Sequence, residues 1–157
     1  MAKDIRKVLQ RLDRLIGDGP ARCRFNDPAS PEDIRALEKR LYITLPESYK
    51  AFLEFTNGGM IMSDSLYDIL QKDDDLETIK WNANYLYSLE ELEENYRSMS
   101  SWNLGYPGES IVPFPFIPFC HTASGEQLVF VNLKEGESES PVLDAFHEDL
   151  PEEYGLV

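Results

Sequence analysis

Apolar residues at Ile5, Val8, Leu9, Leu12, Leu15 and Ile16 recur in steps of three and four, which places them on one stripe of a helix from about Lys3 to Ile16. Lys, Arg and Asp fill the opposite face. Gly17, Gly19 and Pro20 end the pattern, because glycine costs helix and proline cannot continue one. The stripe predicts packing on the body of the protein, though the same pattern would suit a partner. Ala21 to Ala29 reads as a connector, with a turn at Asn26-Asp27-Pro28.

A second helix starts at Ser30. Serine is a good N-cap, Pro31 suits the first helical position, and Glu32 and Asp33 place acid where the helix dipole favours it. Asp33, three residues after Ser30, gives a shortened capping box. Ile34, Leu37 and Leu41 face inward, and Glu38 between them is expected to meet a backbone N–H or an arginine within the fold. Leu45-Pro46 separates this helix from the next, since proline disfavours helix in the residue before it and suits the turn after it. The third helix, Pro46 to Thr56, should bury Tyr49, Phe52, Leu53 and Phe55. Asn57-Gly58-Gly59 then offers residues that take positive φ at a helix end, and Gly59 to Met62 should leave as a strand.

The pattern weakens after Ser63. Leu66 to Leu70 is a short apolar run, and Gln71 to Asp75 reads as an exposed acidic loop. Leu76 to Tyr87 fits helix or strand. Ser88-Leu89-Glu90-Glu91 is a strict capping box opening a helix to about Arg97, with Leu89, Leu92 and Tyr96 inward and Glu90, Glu91, Glu93 and Glu94 outward. Ser98 to Gly108 is turn-rich and contains Trp102 and Tyr106.

In Ile111 to Cys120, the prolines at 113, 115 and 118 remove ladder donors and predict an edge strand or extended loop anchored by Phe114, Phe116 and Phe119. Ile117 to His121 and Gln127 to Val131 form a hairpin across Thr122 to Glu126, and Pro141 to Phe146 is a third strand able to pair with it. The acidic tail from His147 is expected to end in a short helix. Helices first and strands later, with short connections, predict an α+β fold in which N-terminal helices pack on a mainly antiparallel sheet. The expected organisation is one domain over residues 1–157: a helix and connector to 29, a core over 30–150 and a tail over 151–157.

Composition adds a direction. The chain is 42% hydrophobic and 11% aromatic, which is globular, and its 157 residues suffice to bury a core without metal or disulfide. No apolar run approaches the roughly 18 residues of a membrane span, and charges every two or three residues near Met1 leave no apolar core for a secretory signal. A cytoplasmic protein with reduced Cys23 and Cys120 is the expectation. Net charge is −14, divided as +3 over residues 1–50 and −17 over residues 51–157. Such a surface repels nucleic-acid phosphates and anionic lipid, and it attracts basic proteins.

Candidate chemistry is sparse. There is no Gly-rich phosphate loop, and Gly105-Tyr106-Pro107-Gly108 lacks an accompanying basic residue. Cys120 and His121, adjacent in a strand, point to opposite faces and cannot form a thiolate–imidazole pair together, although His147 could reach either. His121, Asp144, His147 and Glu148 could gather on a sheet, but their spacing does not demand a metal. The run Asp73 to Asp75 lacks the alternation and glycine of a calcium loop. No cofactor, metal or reaction is therefore expected, and the contact expectation rests on charge and exposure.

The run Ile34, Leu37-Glu38, Leu41, Leu45-Pro46, Tyr49, Phe52-Leu53 and Asn57-Gly58-Gly59 resembles the opening motif of the SUKH superfamily, which includes yeast cell-wall-synthesis regulators linked to killer-toxin resistance. Ile117-Pro118-Phe119 through Gly125 and Val129-Phe130-Val131 look like the family's hairpin, and Pro141-Val142 with Phe146-His147-Glu148 looks like its closing strand. The resemblance covers roughly residues 28 to 150, and the acidic middle from Asp64 to Glu94 departs from it. It implies an α+β domain without catalysis: in bacteria most often an immunity protein that binds and neutralises a co-encoded toxin, frequently a nuclease, and in eukaryotes a regulatory or scaffolding module. For an immunity protein the expected contacts are Asp73, Asp74, Asp75, Glu90, Glu91, Glu93 and Glu94, with Trp102 or Tyr106 as anchors. A basic nuclease domain would be the partner, and neither nucleic acid nor membrane. A small-ligand site around Cys120, His121 and His147 is the weaker alternative.

Overall fold

The computed structural model describes residues 2–18, 23–72, 76–103, 113–145 and 154–157, without the side chains of residues 2–4, 15–18, 102 and 103. These residues form α1 (Ala2–Asp18), β1 (Cys23–Phe25), α2 (Pro31–Leu41), α3 (Glu47–Phe55), β2 (Gly59–Ile61), α4 (Asp64–Leu70), α5 (Leu76–Asn82), β3 (Asn84–Leu86), α6 (Leu89–Asn103), β4 (Phe116–His121), β5 (Gln127–Val131), β6 (Val142–Asp144) and β7 (Gly155–Leu156). The seven strands lie in chain order in one sheet, and each neighbouring pair is antiparallel. The architecture is α+β, with helices carried on the connections of a meander. Strands therefore interleave with helices from Cys23 onward instead of following them.

The core is the contact between α2, α3, α6 and the sheet. Ile34, Leu37 and Leu41 of α2, Tyr49 and Leu53 of α3, and Leu92 and Tyr96 of α6 are buried with Ile117, Phe119, Val129 and Phe130 of the central strands. The rings of Phe119 and Phe130 stack with centroids 3.9 Å apart, and Tyr49 packs against both. Helix α1 packs on α3. Its stripe is incompletely covered: Ile5, Leu9 and Leu12 are half-buried, and Val8 is 56% exposed.

The α2–α3 joint follows from its residues. Ser30 Oγ accepts from the Asp33 N–H at 3.1 Å, while the Ser30 hydroxyl donates to the Asp33 carboxylate at 2.6 Å. Asp33 thus closes the cap through the hydroxyl. Tyr42 ends α2 in the left-handed region at φ 54°. Glu38 Oε1 then accepts from the Leu45 N–H at 2.8 Å and lies 3.6 Å from Lys50 Nζ, so this acid staples the joint. Pro46, at the N-cap of α3, has no side-chain oxygen to offer. The first-turn amides of α3 are satisfied from far along the chain: the Glu47 N–H donates to the Ser138 carbonyl at 2.9 Å, and the Ser48 N–H and hydroxyl donate to Glu139 at 3.1 and 2.5 Å.

Thr56 ends α3 in an extended conformation at φ −155°, so the following glycines are not its left-handed cap. They permit close passage. Gly58, at φ 78°, runs so near β3 that a Cβ would lie 2.5 Å from the Leu86 carbonyl oxygen; at Gly59 it would lie 2.3 Å from that of Arg24 on β1. Asn57 joins this crossing to α6, its Oδ1 accepting from the Leu89 N–H at 2.9 Å.

Several expectations are corrected. The connector over 21–29 contains β1, which pairs with β2 through Cys23, Arg24 and Phe25. Leu66 to Leu70 lies in α4, capped by Ser63 Oγ accepting from the Leu66 N–H. The ambiguous Leu76 to Tyr87 is a short helix followed by a strand, and α6 continues to Asn103. The proline-rich segment supplies β4, the central strand of the seven and not an edge. Pro118 is tolerated there because β3 pairs only with Cys120 and His121, and the register against β5 shifts between Pro118 and Cys120. At the far end Gly155–Leu156 is a strand on β6 and not a helix.

Candidate partner-binding face

Helix α6 and the short α5 beside it carry the acidic face, and the α6 capping box divides its carboxylates into two kinds. Ser88 Oγ accepts from the Glu91 N–H at 3.3 Å, and Glu91 Oε2 accepts from the Ser88 N–H at 2.9 Å. The box turns Glu91 back toward the sheet. There its Oε1 accepts from the Tyr85 hydroxyl at 2.6 Å and from Lys80 Nζ at 3.3 Å. Burial works to raise the Glu91 carboxyl, but bonds from Tyr85, the Ser88 N–H and Lys80 outweigh it and hold it below its ordinary value. Burial first, and then the bond to Glu91, pushes the Tyr85 phenol up.

Glu93 is occupied differently. It receives Arg40 of α2 at 2.6 Å and Arg97 of α6 at 2.9 Å, and the Arg40 bond is the main cause of its lowered carboxyl. Glu90 and Glu94 are exposed, and Glu94 pairs with no cation among the described residues. Glu90 borders a polar cleft with Asp27, Asp33 and Arg40, between the β1–α2 connection and the start of α6. Two of the four expected acids on α6 are therefore free to meet a partner, and two are held inside the fold.

Glu94 stands at a second cavity, of about 330 Å³, bounded by Glu77, Lys80, Trp81, Tyr85, Tyr87, Glu91 and His121. His121 organises it. Its Nε2 donates to the Lys80 carbonyl at 2.8 Å, and its Nδ1 meets the Tyr87 hydroxyl at 3.2 Å. Its ring lies between Trp81, at 5.1 Å and 20°, and Tyr85, at 5.4 Å and 16°. Trp81 ends this three-ring stack and is 67% exposed. Sequence reasoning missed it because it sits in the stretch that fitted helix or strand equally. The available signal was a tryptophan set between Lys80 and Asn82, where an apolar stripe has no use for it.

Asp73, Asp74, Asp75 and Tyr106 lie outside the described residues, as does His147. Trp102 falls in the last turn of α6, and its side chain is outside the described part. Cys120 is a buried thiol pushed up to about 11 by burial, donating to the His121 carbonyl at 3.5 Å. That direction keeps sulfur protonated. Among the described residues no three His, Cys, Asp or Glu side chains gather to hold a metal ion, and no helix is long and apolar enough to cross a membrane. The arrangement can present a free carboxylate, Glu94, beside an aromatic platform, with the exposed Glu90 one turn earlier on α6.

A pH dependence follows from Glu91. Its folded carboxyl lies below the ordinary 4.5, so it stabilises the fold above that pH and the contribution is lost as pH falls through the folded value. Glu91→Gln should cost about 1–2 kcal/mol at pH 7 and progressively less below about pH 4.5. Urea unfolding of both proteins between pH 7 and 3 would test this, and a pH-independent difference would refute the ionic role of Glu91.

A family model described as SMI1 / KNR4 family (SUKH-1) matches residues 28–156. The chain is also 44% identical, over 46 residues, to a Bacillus subtilis (strain 168) protein described as the uncharacterized protein YnaB. That match spans 29% of this chain and 31% of the Bacillus protein. Helix α1 and strand β1 precede the segment matched by the family model.

Proposed function

This chain belongs to the SMI1/KNR4 family (SUKH-1), and from that premise we propose that it is a cytoplasmic immunity protein that binds a cognate toxin and blocks its active site. The family is generally non-catalytic and is compatible with immunity or regulation. The observation that carries the immunity reading is the pairing of free acid with an exposed aromatic: Glu90 and Glu94 on α6, and Trp81 on α5. The partner proposed is a basic nuclease domain. A cleft built for phosphates is complementary to carboxylates, so the −17 of residues 51–157 would speed encounter, and Trp81 would give a desolvated anchor. Asp73, Asp74, Asp75, Trp102 and Tyr106 complete the proposed contact set. Glu91 and Glu93 contribute by holding Lys80, Tyr85, Arg40 and Arg97 in place.

The test is inhibition of the toxin encoded beside the gene. Purified protein should suppress that toxin's activity, with an association rate falling at least roughly tenfold as salt rises from low to physiological strength. Glu90→Lys with Glu94→Lys should slow association by a similar factor and leave the melting temperature unchanged. A protein that neither binds that toxin nor suppresses its activity would refute the proposal. Salt-insensitive binding to a host protein would point instead to a regulatory or scaffold module.

A further inference from the structure

We infer that the cavity beside Trp81 is an arginine-acceptor site, in which the guanidinium of a basic partner stacks on the open face of the indole and pairs with Glu94. The inference deepens the proposed function and rests on its basic partner. Three observations converge on it. The Trp81–His121–Tyr85 stack ends in an indole that is 67% exposed, a flat surface built and then left uncovered. A cation already uses the inner part of the stack: Lys80 Nζ sits 5.2 Å from the centre of the Tyr85 ring, with Glu91 at 3.3 Å and Glu77 at 3.8 Å. The carboxylates exceed that cation, since Glu77, Glu91 and Glu94 face one ammonium, and Glu94 pairs with no cation among the described residues.

Ligand chemistry follows from shape. An open indole face with a carboxylate beside it suits a planar, weakly hydrated guanidinium, which can stack and form two parallel N–H bonds at once. An ammonium is a strongly hydrated point charge and gains less from a flat ring. The cavity of about 330 Å³ admits one side chain and no larger element. His121 is a positioning residue: its bond to the Lys80 carbonyl fastens α5 to β4, and its ring holds the inner face of Trp81.

The experiment titrates three probes, N-acetyl-arginine methylamide, its lysine counterpart and its citrulline counterpart, into ¹⁵N-labelled protein while following the Trp81 indole N–H resonance. Trp81→Ala assigns that resonance, and both Trp81 and Glu94 are exposed enough to change without unfolding the chain. The arginine probe should give a saturable shift with a dissociation constant on the order of millimolar, several-fold tighter than lysine. Citrulline, planar and of similar shape but neutral, should give none. Glu94→Gln should weaken arginine binding roughly three- to tenfold. Equal shifts from arginine and citrulline, equal affinity for arginine and lysine, or indifference to Glu94→Gln would each overturn the assignment. A protein that inhibits the toxin but shows no arginine titration removes the pocket and leaves the immunity role standing. One that titrates with arginine but fails to inhibit does the reverse.

Discussion

Gly58→Ala should destabilise the protein by more than about 3 kcal/mol, a large part of the roughly 5–15 kcal/mol that holds a domain of this size together. Two costs add. The residue sits at φ 78°, where an L side chain loses roughly 1–3 kcal/mol. Its Cβ would also lie 2.5 Å from the Leu86 carbonyl oxygen and 2.7 Å from the Tyr87 carbonyl carbon and oxygen, all backbone atoms that no rotamer change can move aside. Relief requires parting β2 from β3, and with them the Asn57 bond to the start of α6. Gly125→Ala provides the control. Its φ is also positive, at 99°, but among the described residues no heavy atom beyond its chain neighbours lies within 4 Å of the added Cβ, so only the conformational cost remains. Urea midpoints of the two variants would separate clash from strain, and equal losses would show that the close passage at Gly58 is unimportant.

Tyr96→Phe should lower stability by about 1–3 kcal/mol, or the melting temperature by roughly 3–10 °C. Tyr96 is fully buried in α6, and its hydroxyl accepts from the Phe114 N–H and donates to the Phe114 carbonyl at 3.2 Å. That bond pair ties α6 to the approach into β4. Phenylalanine leaves the shape intact and strands a buried N–H, whose desolvation sets the penalty. The same substitution at Tyr49 should do the opposite. The buried Tyr49 hydroxyl has no hydrogen-bond partner among the described residues, and burial pushes its ionisation sharply upward. Its ring contacts with Phe52, Phe119 and Phe130 survive in phenylalanine, so Tyr49→Phe should be neutral or stabilising by up to about 1 kcal/mol. Calorimetric melts of the two single variants suffice. Similar losses at both positions would contradict this account of which hydroxyl is satisfied.

The two-way split among the acids of α6 shows where sequence reading stops. Glu91 and Glu94 lie three residues apart on one helix and look alike in the chain. What distinguishes them is the tertiary setting: Tyr85 and Lys80 approach Glu91, whereas Glu94 faces the open cavity. Trp81 shows the same limit. Its value as a platform depends on His121, forty residues later, and on Tyr85, and no local period announces either. The expected role of Glu38 was legible because its partners, Leu45 and Lys50, lie within two helical segments.

By itself the sequence determined the features whose two partners sit within a few residues. Besides the α+β class and the excess of acid in the second part, which are read along the whole chain, these are the caps at Ser30 and Ser88, the Leu45-Pro46 joint, the apolar stripes of α2, α3 and α6 and the β4–β5 hairpin. Each is a short-range balance of hydrogen bonding and rotation, and a window of one or two turns contains it. Only the tertiary structure decided the three-residue strands β1 and β3, the central place of a proline-bearing β4, the capping of α3 by Glu139 and the reason for Gly58 and Gly59. It alone decided that Glu94 remains free beside Trp81 while Glu91 is held by Tyr85 and Lys80. Those outcomes depend on groups brought together across tens of residues, where a neighbour's ladder, a backbone in close passage or a half-buried cation outweighs the local preference.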